Sequence, residues 1–369
     1  MLYLGTNNLK CYIVGGWVRD FLCNRHCTDK DWVVVGGSAN DLKTLGFEQV
    51  GASFPVFIHP KTKEEYALAR SERKKGHGYH GFEINSCSNI TLQEDLLRRD
   101  LTINAIAYDP EHHQFIDPYG GQDDLKNKIL RHVSPAFVDD PLRIIRLARF
   151  ATYFPEFKID PGTKVLAQDL SSSGELSTLS LERITQEIIK VYKYSDQPAK
   201  FWVVLDELNA LDKIFPHWSN ILPDVLPLLR KKMPGLNPSQ AFSYAMAVWH
   251  QAAIRINATS PQDSLKLSSY HIKLIKIIIK AWGFIEKKTP DSIFIVEMLF
   301  LTKGFQEMTL VQDVWPILGN PIVKYEELSL LIKKLKSLDT SWIINIEPPA
   351  KRYLMLKDFY QEYIENALK

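Results

Sequence analysis

Two aspartates one residue apart, Asp29 and Asp31, head the apolar run Trp32-Val33-Val34-Val35. In an extended strand alternate side chains share a face, so the two carboxylates project together. Carboxylates so close repel unless a cation lies between them, and a hard divalent ion with oxygen ligands answers that need. Mg2+ is the natural choice, and beside bound phosphates it serves in-line displacement by activating a hydroxyl and neutralising a pyrophosphate leaving group. Glu65, on a later strand, is the candidate third carboxylate, with Glu64 facing the other side.

Three further groupings suit a nucleotide. In Val14-Gly15-Gly16-Trp17-Val18-Arg19-Asp20 a strand runs through two glycines into a helix, so backbone N–H groups approach a phosphate while Arg19 adds a charged fork. Alone, a Gly-Gly turn is only a tight connection. In Leu97-Arg98-Arg99-Asp100-Leu101-Thr102-Ile103-Asn104, a helical pattern puts Asp100 and Asn104 on one face beside Arg99. A carboxylate there accepts from a ribose hydroxyl and a guanidinium pairs with phosphate; a surface ion pair is the plainer alternative. In Asp139-Asp140-Pro141-Leu142-Arg143-Ile144-Ile145-Arg146-Leu147-Ala148-Arg149, Pro141 starts a helix on which Arg143, Arg146 and Arg149 form one stripe. Three arginines without interleaved acids repel, so a polyanionic partner explains the stripe better than solvent does.

The elements that must position these residues change character along the chain. From Cys11 to about His132, β-rich runs alternate with turns and short helical patterns. The strands expected are Cys11 to Val14, Trp32 to Val35, Val56 to His59, Glu65 to Ala69 and His113 to Ile116; the helices are Trp17 to Cys23, Ala39 to Leu45 and Glu94 to Ala107. After Pro141 apolar residues recur at helical spacing over Leu142 to Tyr153, Leu181 to Tyr192, Pro198 to Leu208, Ser239 to Ile256, His271 to Ile285 and Lys324 to Leu335. The prolines at Pro216, Pro223, Pro227, Pro234 and Pro238 forbid one continuous helix and are expected to join helical subdomains. Lys273, Lys276, Lys280 and Lys287 share a helix side opposite Ile, Leu and Trp, an ordinary solvated face or part of a basic surface with Lys333, Lys334, Lys336, Lys351 and Arg352.

With 369 residues, 45% of them hydrophobic, the chain is long enough for two or three domains, and its apolar stretches are interrupted before they could span a bilayer. No membrane segment or secretory signal is expected, and the cytoplasm is the default location. A net charge of +2 is too balanced to name a polyanion partner by itself. The four cysteines fall at 11, 23, 27 and 87, unlike a disulfide framework, and Cys23, His26 and Cys27 lack the further ligands of a zinc site.

Taken together and in order, GGWVRD, DKD, RRDLTINA, DPYGGQDDL (Asp117 to Leu125) and DDPLRIIRLAR resemble the class II tRNA nucleotidyltransferases, the CCA-adding enzymes. The likeness is detailed from residue 11 to about 190, where FPVFIHP and YALARSERKKGHGYHGF look like the γ-proteobacterial type, and rests on helical character beyond Pro216. It implies an α+β head with a mixed sheet (1–132), an all-α neck carrying the nucleotide template (133–215), and a helical, tRNA-binding body and tail (216–369). It further implies that Asp29 and Asp31 bind Mg2+ and run the transfer, that Gly16 and Arg19 contact the triphosphate, and that Arg99 and Asp100 hold sugar and phosphates. Asp140, Arg143 and Arg146 would read the incoming base, supported by Arg149. Cytosine and adenine both present an amino donor beside a ring-nitrogen acceptor, whereas uracil and guanine present a carbonyl beside a ring N–H. A carboxylate next to a guanidinium therefore matches C and A.

The function implied is addition of C, C and A to the 3′ end of tRNA from CTP and ATP, without a membrane or an obligate protein partner. The alternatives are an A-only enzyme, a poly(A) polymerase, and an inactive tRNA-binding scaffold, which would be free to lose Asp29 and Asp31. A CC-only enzyme is disfavoured by the intact stretch from Tyr66 to Phe82. The Gly-rich segment Asp117 to Leu125 resembles the family's hinge, so stiffening Gly120 and Gly121 to Ala is expected to impair A addition more than C addition. Many relatives of this type carry a phosphohydrolase domain with a His-Asp pair; no His precedes an Asp here, and no such activity is expected.

Overall fold

The computed structural model describes residues 9–27, 29–51, 55–74, 82–85, 89–230, 236–286, 291–302, 308–318, 325–344 and 346–368. Expectations placed on the first eight residues, on 75–81, and on Cys87, Pro234, Lys287 and Lys324 lie outside the described residues. The chain divides into two compact units, Met1–Glu187 with Lys200–Ile214, and Ile188–Ala199 with Phe215–Lys369.

The first unit opens with β1 (Lys10–Val14), α1 (Gly16–Leu22), β2 (Asp31–Val35), α2 (Ala39–Thr44), β3 (Glu48–Val50), β4 (Val56–Ile58) and β5 (Glu65–Leu68). A separate antiparallel hairpin, β6 (Ser71–Lys74) with β7 (Phe82–Asn85), precedes α3 (Leu92–Leu97), β8 (Ala107–Asp109), β9 (Gln114–Ile116) and α4 (Gly121–Asn127). The main sheet is mixed and seven-stranded, ordered β3-β4-β5-β2-β1-β8-β9. Only β2 and β5 run parallel within it, with Asp31 opposite Glu65, while Val14 faces Asp31 across the antiparallel β1–β2 pair. Val14 and Val33 pack on one face against Leu96 of α3 and Ala105; Ile13 packs on the other with Val18 of α1. Two residues before Val33, Asp31 belongs to the α3 face.

After β10 (Ile129–Leu130) come α5 (Leu142–Tyr153), β11 (Lys158–Ile159), α6 (Pro161–Ser172), α7 (Leu181–Tyr194), α8 (Ala199–Glu207) and α9 (Leu211–Ile214). The short β11 pairs in parallel with β10, a strand inside a region expected to be wholly helical.

The helix expected over Glu94 to Ala107 is instead α3, a 3-10 turn at Thr102–Asn104, and β8. Thr91 and Glu94 form a capping box that starts α3 at Leu92, and side chains elsewhere take what a longer helix would use. Asp100 accepts from the N–H of Leu101, the N–H of Thr102 donates to the Arg131 carbonyl, and the Leu97 and Arg98 carbonyls accept from Ser134 and Arg143.

The second unit holds α10 (Trp218–Arg230), α11 (Pro238–Arg255), α12 (Pro261–Ser264), α13 (Ser269–Glu286), α14 (Asp291–Leu301), α15 (Met308–Val314), α16 (Tyr325–Ser337) and α17 (Pro349–Leu368). The interval from Pro216 to Pro238 is not one continuous helix, as expected, although Pro223 and Pro227 themselves lie inside α10. They are four residues apart on the exposed side of the helix, while Trp218, Ile221, Leu222 and Val225 fill the buried side. On α13, Lys273, Lys276 and Lys280 are exposed opposite buried Leu274, Ile275, Ile277 and Ile278. Among the described residues no helix is long and apolar enough to cross a membrane.

Candidate functional site

A cleft of about 560 Å3 in the first unit gathers residues from six of its segments. Its wall carries eight arginines (Arg19, Arg70, Arg98, Arg99, Arg143, Arg146, Arg149 and Arg183) against three carboxylates, Asp31, Asp100 and Asp140. Gly15 and Gly16 complete the wall at the start of α1, with Asn104, Leu142 and Phe150. Such an excess of guanidinium suits a polyphosphate.

Asp31 is one of the three carboxylates. Desolvation pushes its carboxyl above the ordinary range, Arg99 pulls it back, and the charges of Glu65 and Asp29 push it up again. Three acidic groups therefore sense one another here, Glu65 across the β2–β5 pair. Among the described residues no three or more His, Cys, Asp and Glu side chains are grouped so that together they could hold a metal ion. Asp29 and Asp31 offer oxygen donors only, the kind a hard divalent cation takes. Cys11, Cys23 and Cys27 are free thiols, and burial pushes Cys11 up to about 11.

Gly15 adopts φ 71°, and a Cβ built there would lie 3.1 Å from Nη1 of Arg99, so glycine lets that guanidinium settle on the turn. Arg19, expected at the triphosphate, is buried and committed. It forks onto Asp20 at 2.9 and 2.8 Å, donates to Asn104 Oδ1 at 2.7 Å, and lies over the Phe150 ring.

Asp100 is the hub of the cleft. Its Oδ1 accepts from Leu101 N–H and from Asn104 Nδ2 at 2.9 Å; its Oδ2 accepts from Arg146 Nε at 2.7 Å. Burial would raise its pKa, but the charge of Arg146, the hydrogen bonds from Asn104 and Arg146, and Arg143 outweigh that and hold it far below the carboxylate range. Through these contacts Asp100 organises its neighbours in the cleft.

The arginine stripe of α5 meets acids of this same chain, which the repulsion argument from sequence did not supply. Arg146 pairs with Asp100, Arg149 donates to Glu187 at 2.6 Å, and Arg143 donates to the Ala136 and Arg98 carbonyls. Burial pulls Arg149 down more than Glu187 restores it, whereas Asp100 and Glu187 overcome the burial of Arg146 and raise it. Asp140 accepts from the Leu142 N–H and from both Arg183 Nη atoms, at 3.3 and 2.8 Å.

Gly16, Arg19, Asp31, Arg99, Asp140, Arg143, Arg146 and Arg149 thus share one cleft, with Asp29 beside Asp31. The sequence reading passed over Asp95, Arg70, Arg98, Arg183 and Glu187. Local spacing held a signal for some of them: Asp95 lies three and four residues before Arg98 and Arg99, and Arg183 and Glu187 are four apart on α7. At the Gly-rich segment, Asp117 caps α4 by accepting from Gly121 and Gln122, Gly120 has φ 73°, and a Cβ at Gly121 would lie 2.3 Å from the Thr102 carbonyl oxygen. Alanine there displaces α4 from the Thr102 turn as well as stiffening it.

Residues 11–131 match a family model described as the poly A polymerase head domain, and residues 156–222 one described as a probable RNA and SrmB-binding site of polymerase A. A CCA-adding enzyme of Francisella tularensis subsp. novicida is 38% identical over 98% of this chain and 100% of its own. One from Coxiella burnetii (strain RSA 331) is 52% identical over 57% of this chain and 55% of its own, so the match spans about half that relative's length. Among solved structures, an apo form of a CCA-adding enzyme superposes with TM-score 0.64 at 23% identity, covering 96% of this chain and 88% of that one. The Thermotoga maritima CCA-adding enzyme complexed with tRNA gives TM-score 0.61 at 22% identity, covering 96% and 87%. These structural likenesses speak to fold.

Proposed function

This chain belongs to the family of CCA-adding enzymes, and from that premise we propose that it adds C, C and A to the 3′ end of tRNA from CTP and ATP, releasing pyrophosphate. One observation carries the reading: eight arginines line the same cleft as Asp31, Asp100 and Asp140. The enzyme is a nucleotidyltransferase working in the cytoplasm, and its functional division is a head (1–132), a neck (133–215) and a tRNA-binding body and tail (216–369).

Asp29 and Asp31 would hold the divalent cation, Mg2+ in our reading, which supplies charge neutralisation for in-line displacement. The chain's own residues do the rest. The Gly15-Gly16 turn admits the triphosphate closely, and Arg99 neutralises it as pyrophosphate leaves. Asp140 accepts from the base amino group and Arg143 or Arg146 donates to the ring nitrogen, so C and A satisfy the pair while U and G leave it mismatched. Arg149 and Glu187 keep the reading arginines in register. Arg183, paired with Asp140, keeps the reading carboxylate aimed.

The test is transfer of labelled CMP from CTP to a tRNA transcript ending at its discriminator base, with Mg2+ and after chelation. Transfer that chelation stops and Mg2+ restores is expected; no transfer with Mg2+ present would overturn the reading.

A further inference from the structure

Beneath the cleft wall lies a carboxylate that none of the proposed steps uses. Asp95 of α3 is wholly buried, yet its neighbours are charged. Oδ1 accepts from Arg98 Nη2 at 2.6 Å and Arg98 Nε at 3.1 Å, and from the Arg70 backbone N–H at 3.3 Å. Oδ2 accepts from Arg99 Nη2 at 3.1 Å. Arg98 Nε also donates to the Arg70 carbonyl, so Asp95 and Arg98 together clasp both polar groups of that residue's backbone. All three arginines so tied line the cleft.

Arg99 depends on this anchor more than its neighbours do. Its one other hydrogen bond among those described is a long one to the Asn104 carbonyl, 3.4 Å, and its buried Nε finds no acceptor among the described residues. Even so, the guanidinium is held against the Gly15 turn and senses Asp31. Burial alone would push Asp95 up, but Arg99 and Arg98 outweigh it and keep the carboxylate ionised. A buried carboxylate touching two arginines is costly unless both are fixed, so the pairing specifies geometry as well as charge balance.

We propose that Asp95 is a positioning residue: it fixes the guanidinium of Arg99, with Arg98 and the Arg70 backbone, so that pyrophosphate is neutralised in the transition state as it leaves. This rests on the nucleotidyl-transfer reading. Removing the charge by Asp95→Asn has two opposed consequences. The cleft becomes one charge more positive, which favours a bound polyphosphate, while the amide can turn an N–H toward Arg99 and release it. Ground-state binding is therefore retained and the chemical step suffers, a split that mere loss of structure does not produce.

The experiment compares wild type, Asp95→Asn, Asp95→Glu, Arg99→Ala and the double variant Asp95→Asn/Arg99→Ala. It measures thermal midpoint, single-turnover CMP transfer and the Kd for inorganic pyrophosphate with Mg2+. Asp95→Asn is expected to slow transfer by roughly 10- to 100-fold, the order a misplaced group costs, with the pyrophosphate Kd no weaker than wild type. Asp95→Glu keeps the charge and recovers part of the rate, and serves alone should the Asn variant not fold. In the Arg99→Ala background, Asp95→Asn adds little, since its effect runs through Arg99. Rate and pyrophosphate affinity falling together in step with the folded fraction, an unchanged rate in a folded Asp95→Asn, or additive losses in the double variant would each overturn the proposal. Absence of transfer by the wild type sinks the function and takes this inference with it, whereas normal wild-type transfer isolates a failure of Asp95.

Discussion

Two buried regions of this chain are held together by opposite means. In the cleft of the first unit, Asp95, Asp100, Asp140 and Glu187 each hold one or two arginines through directed contacts. In the second unit, Trp218 is sandwiched by Phe215 and Trp249 with ring centroids 4.3 and 4.2 Å apart, all three wholly buried. Charged pairs out of water demand fixed partners and angles, and breaking one leaves an uncompensated charge. Aromatic packing asks for volume and shape and accepts many solutions. A site that must recognise phosphate and a base edge has to be built the first way, and a scaffold can be built the second.

Substitutions in the two regions should therefore fail differently, and the largest effect is expected at the carboxylate pair. Asp31→Ala should cut nucleotide transfer by about 10³-fold or more while leaving the thermal midpoint near wild type; transfer within about tenfold of wild type would break the comparison at its functional end. Trp218→Ala should do the reverse, costing about 3–5 kcal/mol of stability in chemical denaturation while the rate per folded molecule stays unchanged. Between these lies Asp140→Asn, which swaps an acceptor for a group that also donates. Discrimination of CTP and ATP against UTP and GTP should narrow by about 10²-fold, read from competing incorporation, with little change in stability. Unaltered discrimination would remove Asp140 from base reading.

The smallest effect sharpens the role of charge in the cleft. Asp100 has a folded pKa below its unfolded value of about 3.9, so its pairing stabilises the fold fully above that pH and is lost as pH falls through the folded value. Urea midpoints measured from pH 7 downward should hold to about pH 4 with respect to this group and then fall. Asp100→Asn should be less stable at neutral pH and show a shallower fall below pH ~4; identical slopes would mean that Asp100 is not the group responsible.

How far the sequence could be read follows from the same contrast. Cys11 to Val14, Trp32 to Val35 and Leu142 to Tyr153 were legible because periodicity and flanking glycine or proline are local, and the structure has elements at all three. The break after Leu97 was not, because it is made by Ser134, Arg131 and Arg143, whose partners lie 37, 29 and 45 positions back. The types of the cleft residues were visible in short motifs, but their partners were not. Arg146 finds Asp100 46 residues away and Arg149 finds Glu187 38 residues away, choices that only the tertiary fold makes. Where within the proline interval the helix breaks was hidden for a related reason: the cost of Pro223 and Pro227 inside α10 depends on which face meets water, and that is settled by packing.

The central claim is that one charged cleft in the first unit accepts C and A and refuses U and G without a nucleic-acid template. It is tested most directly by offering all four nucleoside triphosphates to tRNA transcripts ending at the discriminator base, after C, and after CC, and sequencing the products. The expected result is completion of all three to CCA with no U or G incorporated. Long A tails, A added only to the CC-ended transcript, or tRNA bound without extension would contradict it.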